Sequence, residues 1–213
     1  MLKKTSLILT TIISLLLLST SAYAYQHYKS GYMSSSIKFK PVGLPSQYES
    51  ALINAAASWN AATNKVYISK DNNADNTVII GTMSDPLDFG SYTPQWEDQY
   101  GQASQFQIWI NQTAIINQTN LGKDFWNVTQ STFAHELGHA LHLADLQSGI
   151  ALMNQKRDRD KIYTPEQDDI NGVNAYVWLI KEWGMNYEKN HYNVKSFIRN
   201  YRIISMFGGK KSE

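Results

Sequence analysis

The 213-residue chain contains no cysteine. That absence excludes disulfide staples, thiolate metal ligands and a cysteine nucleophile. Stability must then come from a packed core and from any ions the chain binds. Charge is sparse as well: 17% of residues are charged and the formal net charge is +1. With so little positive excess there is no electrostatic footing for a nucleic-acid partner. Long apolar runs are also lacking. The longest, Leu7 to Leu18, holds twelve residues, against the roughly 20 that a membrane-spanning helix needs. No internal repeat and no low-complexity linker is visible.

The apolar run still carries information. Lys3 and Lys4 precede it and the small-x-small triplet Ala22-Tyr23-Ala24 follows it. This is the layout of a secretory signal cleaved after Ala24. The expected organisation is a signal peptide over 1–24, one domain over 25–183, and a basic extension over 184–213. The product is expected to be secreted, either extracellular or held at the cell surface. The body from Tyr25 to Trp183 has 11 Lys+Arg against 16 Asp+Glu, whereas Gly184 to Glu213 has 6 against 2. Such a tail suits contact with an anionic cell wall or membrane surface. The plainer reading is a solvated helix, with Val194, Ile198 and Tyr201 on one face.

Periodicity divides the body into an α+β series. Ile37 and Phe39 alternate with Lys38 and Lys40, as in a half-buried strand. Tyr48, Leu52, Ala55 and Trp59 recur at helical spacing within 45–62, behind Pro45 at a helix start. Strands are expected over 66–69 and 77–82. The turn between them, Asp71 to Asn76, offers oxygen ligands for Ca²⁺ but lacks the spaced acidic order of a known calcium loop. Residues 84–100 read as a long irregular segment. An alternating strand follows over 105–111. Asp124 is a fitting N-cap for the next helix, which Phe133, Leu137 and Leu141 anchor. Gly138 costs that helix about 1 kcal/mol relative to alanine, so something is expected to pack close there. A last helix over 165–183 turns Ile170, Val173, Tyr176, Val177 and Ile180 inward.

Chemistry concentrates in His135-Glu136-Leu137-Gly138-His139. At 3.6 residues per turn, two histidines four apart stand on one helix side and can share a metal ion. Glu136, beside them, is placed to act as a general base toward water. A third donor is open to choice. Asp145 lies ten residues after His135, and a carboxylate is an accepted zinc ligand. His142 is the rival, but three ligands along one straight helix would span more than two turns. Glu166 or Asp168 are more distant options.

Further motifs follow in order: Met153 within Ala151-Leu152-Met153, then Gln167-Asp168-Asp169-Ile170-Asn171-Gly172, with Ala51, Ala55, Trp59 and Thr63 upstream. Together with the histidine motif they resemble the metzincin zinc metalloproteases, most closely the matrixin branch, over Ile37 to Tyr176. The resemblance implies a small metzincin-like catalytic domain. Its parts would be a twisted mixed sheet, a long N-terminal helix, an active-site helix and a C-terminal helix. It implies Zn²⁺ on His135, His139 and Asp145, with Glu136 catalytic and Met153 in an apolar floor beneath the metal. It further implies a monomeric endopeptidase that takes a protein or peptide substrate in extended form, paired against the strand over 105–111.

The chain departs from the family at several positions. His142 stands where the family has Gly, and Asp145 where it usually has His. Asn154-Gln155-Lys156-Arg157 replaces the Pro and Tyr that normally follow the methionine, so substrate preference does not transfer. Without cysteine there is no thiol latch on the zinc, and the short lead before Ser36 leaves no room for a folded pro-segment. Synthesis in an active form is therefore expected. The competing expectation is an exported, non-catalytic zinc-containing binding protein held at the cell surface by its basic tail; an intact Glu136 weighs against it.

Overall fold

Five strands and four helices lie within the residues that the computed structural model describes, which are 25–28, 30–98 and 102–182. The expected signal segment and basic extension lie outside them, as do the side chains of Val177 and Ile180. In chain order the elements are β1 (Ser36–Val42), α1 (Ser46–Ala62), β2 (Tyr67–Lys70), β3 (Thr77–Gly81), β4 (Gly90–Glu97), β5 (Ala103–Asn111), α2 (Gln112–Asn120), α3 (Phe125–Ala140) and α4 (Gln167–Glu182).

The strands form one mixed sheet in the order β2-β1-β3-β5-β4. β1 pairs parallel with β2 and with β3, β3 pairs parallel with β5, and β4 closes the series antiparallel to β5. Parallel neighbours need a long crossover, and α1 supplies it between β1 and β2. The architecture is thus α+β with a mixed sheet.

The core lies where the sheet meets α1 and α3. Ile37, Phe39, Val78, Phe106, Ile108 and Ile110 from the strands meet Tyr48, Leu52 and Trp59 from α1, and Phe133 and Leu137 from α3. Burying a side chain of this size contributes roughly 1.5–3 kcal/mol. The Trp59 indole adds a directed contact, donating from Nε1 to the Ala134 carbonyl at 2.9 Å. That bond ties α1 to the helix carrying the histidine motif.

Two expectations from sequence need correction. The segment over 84–100 is not irregular throughout, because β4 occupies Gly90–Glu97. Pro94 disguises it, yet proline is tolerated on an edge strand, where no ladder hydrogen bond is lost. As a result β5 is not the sheet edge. It lies between β3 and β4, and β4 is the edge among the described residues. One helix, α2, was not anticipated. Asn111 ends β5 and caps α2, its side chain accepting from Thr113 N at 3.1 Å.

The Asp71–Asn76 tract is a turn tied back to the sheet. Lys38 Nζ donates to Asp71 Oδ2 at 3.0 Å and Asn73 N to Asp71 Oδ1 at 2.9 Å. Asn76 donates to the Lys38 carbonyl and accepts from Phe106 N.

Candidate metal centre

Helix α3 begins as its sequence suggests. Asp124 is the N-cap, accepting from Asn127 N at 2.8 Å. Its last two turns are buried, and they carry His135, Glu136 and His139. The helix ends at Ala140, and the chain turns sharply through His142 at φ 68°. That turn brings Asp145 back over the helix. Asp145 Oδ1 lies 3.0 Å from His135 Nε2 and 3.7 Å from His139 Nε2.

The opposite ring nitrogens identify what these atoms offer. His139 Nδ1 is 2.9 Å from the Leu143 carbonyl, which can only accept, so Nδ1 carries the proton. His135 Nδ1 is 2.9 Å from the Leu152 carbonyl. Arg157 Nη1 stands 3.1 Å from the same nitrogen, but it also has the Asn154 carbonyl to donate to at 3.1 Å. The closer carbonyl assigns the proton of His135 to Nδ1 as well. Both Nε2 atoms then present lone pairs to Asp145 Oδ1, a buried oxygen with no hydrogen-bond partner.

Three acceptors facing one another without a proton between them make a donor set that could hold a cation. Their atoms lie within 4.8 Å of one another. Zinc bonds of about 2.0–2.1 Å at tetrahedral angles separate neighbouring donors by roughly 3.3 Å. The contacts of 3.0 and 3.7 Å bracket that spacing. The two backbone carbonyls play the orienting part that outer partners give to metal-ligating histidines.

Electrostatics favours the same state. Burial holds His139 below its ordinary pKa and drives His135 down to about 3, so both rings are neutral near pH 7. Burial pushes the Asp145 carboxyl up, the two imidazoles pull it down, and the net shift is downward. Glu136 is 4% exposed. Burial first, then the Asp145 carboxylate, raise its pKa to about 8. It lies close to Gly90 at the start of β4, where an added Cβ would stand 2.9 Å from its Oε1. Beside these groups opens a cavity of about 430 Å³, lined among others by Tyr28, Phe89, Glu136, His139, Asp145 and Arg159.

His142, the rival donor, is turned away from this cluster. Its Nε2 lies 3.0 Å from the Tyr32 carbonyl, and its ring stacks on Tyr176 at 3.8 Å. It is also buried, not partly exposed as a helix-end histidine would be. Met153 lies where the motif order placed it. Its sulfur packs so close to Gly138 that an alanine Cβ there would come 2.4 Å from it. Asp169 holds this loop from α4, accepting from Leu152 N at 2.7 Å, Met153 N at 3.1 Å and Glu166 N at 2.8 Å.

Three neighbours escaped the sequence reading. Arg157 is 6% exposed and braces α3, donating from Nε to Ser131 Oγ and from Nη2 to the Ser131 carbonyl. Arg159 lines the cavity. Tyr28 arrives on the polar lead, which crosses the end of α3. Tyr28 N donates to the His142 carbonyl at 2.6 Å, Ala144 N to the Gln26 carbonyl at 2.7 Å, and Tyr32 N to the Ala140 carbonyl at 2.9 Å. The Tyr28 ring then lies 5.3 Å from that of His139. The density of tyrosine in 23–32 was the available signal.

No family model and no curated protein sequence is similar to this chain. Among solved structures it is weakly similar to high choriolytic enzyme 1, a hatching-enzyme zinc protease of the medaka fish Oryzias latipes. The TM-score is 0.41 and the identity 10%, over 74% of this chain and 96% of that one. A likeness this slight supports no functional conclusion.

Proposed function

We propose that the protein is a zinc-dependent endopeptidase of the metzincin type, with the matrixin branch as its nearest kin. One observation carries this reading: two imidazole lone pairs and an unpartnered carboxylate oxygen converge in the lining of a cavity, beside a buried glutamate. His135, His139 and Asp145 would hold the metal. Zn²⁺ bound there supplies a Lewis acid for the scissile carbonyl and makes water easier to deprotonate.

The remaining work falls to the chain. Glu136 takes a proton from the attacking water as its oxygen bonds to the carbonyl carbon. It then delivers that proton to the departing nitrogen as the C–N bond breaks. To take that proton the carboxyl must be ionised; burial raises its pKa, and a dication held beside it would bring that pKa back down. The substrate backbone has an edge to pair with in β4, whose first residues, Gly90 and Ser91, border the cavity. The departure is that β4, not β5, takes this role. Secretion through the 1–24 segment and synthesis without a thiol latch complete the proposal.

The non-catalytic alternative is best served by a closed site, with His142 as the fourth protein donor. His142 is engaged with Tyr32 and Tyr176 instead. The test is Glu136→Gln in mature, zinc-loaded protein. Cleavage of an unstructured protein such as casein should fall by about 10²–10⁴-fold while one zinc per chain is retained. Cleavage at the wild-type rate by that variant refutes the proposal.

A further inference from the structure

The cavity contains a cation that the hydrolytic scheme leaves idle. Arg159 lines it together with Glu136, Asp88 and Phe89. Its guanidinium carbon sits 3.6 Å from the centre of the Phe89 ring, which covers one face of the group. Nε is buried and has no hydrogen-bond partner. Among the described residues no carboxylate comes within ion-pairing distance of it. Arg157, on the same cavity wall, differs in this respect. Its donors reach Ser131 Oγ, the Ser131 carbonyl and the Asn154 carbonyl. One arginine is therefore structural and the other is uncommitted.

A planar fork of N–H donors fixed by stacking and left unpaired matches a two-oxygen acceptor. Of the nearby carboxylates, Asp145 belongs to the metal donors and Glu136 to proton transfer, while Asp88 makes no ion pair with Arg159. The cavity itself sits next to the reacting centre, so whatever pairs with Arg159 lies close to the scissile bond.

We propose that Arg159 determines specificity by binding a carboxylate of the substrate. The carboxylate comes from an aspartate or glutamate side chain beside the scissile bond, or from a free C-terminus a short distance beyond it. This rests on the peptidase reading and names the substrate class for that site. The loop bearing Arg159 follows Met153, in the stretch where the chain departs from the matrixin pattern, so a preference of its own is expected there.

The test uses mature, zinc-loaded protein and matched fluorogenic peptides. They carry Asp, Asn or Lys beside the scissile bond, each with a free or an amidated C-terminus. Either Asp over Asn, or free over amidated terminus, should be favoured about tenfold or more in kcat/KM, and which pair shows it identifies the source of the carboxylate. In Arg159→Gln the favoured ratio should fall to about one, in Arg159→Lys it should be intermediate, and in Arg159→Glu it should reverse toward Lys. A second arm needs no turnover. Labelled versions of the same peptides are bound to zinc-loaded Glu136→Gln protein and followed by fluorescence anisotropy, with and without Arg159→Gln. The carboxylate-bearing peptide should bind about tenfold more tightly only when Arg159 is present. Cleavage or binding that ignores the carboxylate, or a preference that survives Arg159→Gln and Arg159→Glu, overturns the proposal. Binding preference without any cleavage leaves it standing and removes the peptidase reading instead.

Discussion

His142 occupies the left-handed region, φ 68°, where side chains other than glycine are uncommon. Its surroundings hold it there. The ring lies between Gly31 and Tyr176, and Nε2 meets the Tyr32 carbonyl. Burial lowers its pKa to about 4, against 6.5 for the free side chain. The unfolded chain therefore binds a proton more readily than the folded one between these values. Stability from the neutral ring is fully present above about pH 6.5 and is lost as pH falls toward about 4. Against His142→Asn, which keeps access to the left-handed region and does not titrate, the wild type should lose about 1–2 kcal/mol more stability between pH 7.5 and 5. Urea denaturation at the two pH values checks this, and parallel losses in both proteins would contradict it. That His135 and His139 share one side of α3 was legible because their spacing matches the helical period. Which of Asp145 and His142 lies beside the two histidines follows from the backbone, which leaves the helix after Ala140 and sends the two side chains in different directions. Arg157, Arg159 and Tyr28 reach the site through loops, and no periodicity marks a loop's destination.

At the scale of elements, α3 is held from two sides. Trp59 of α1 hydrogen-bonds the Ala134 carbonyl, and Met153 fills the space at Gly138. The loop bearing Met153 also supplies the Leu152 carbonyl to His135 Nδ1, and Asp169 on α4 anchors that loop. Core packing and ligand orientation are thus one structure. Gly138→Ala should gain about 1 kcal/mol of helix propensity and lose more to overpacking, which typically costs about 1–3 kcal/mol. We expect a net destabilisation together with zinc affinity weakened about 10–100-fold, the range seen when an outer partner of a metal ligand is disturbed. Denaturation and zinc titration of the variant measure both. A more stable variant with unchanged zinc affinity would show that Met153 yields freely. The long amphipathic helices were legible from spacing alone. β4 was not, because Pro94 reads as a breaker and only its place at the sheet edge makes it acceptable.

For the whole molecule, the lack of cysteine leaves cohesion to the core and to the ion proposed for the metal centre. A ligand that binds only the folded chain stabilises it by mass action, so a metal bound there would serve fold and chemistry together. The α+β class was legible from the alternation of strand and helix patterns, whereas the sheet order was not, since parallel pairing joins segments distant in sequence. The proposed chemistry needs His135 Nε2, His139 Nε2 and Asp145 Oδ1 to share one cation. Calorimetric titration of metal-free mature protein with Zn²⁺ reads this directly. Wild type and His142→Asn should each take one ion per chain, and Asp145→Ala should bind at least about a hundredfold more weakly. Undiminished binding by Asp145→Ala, or loss of binding in His142→Asn instead, would contradict it.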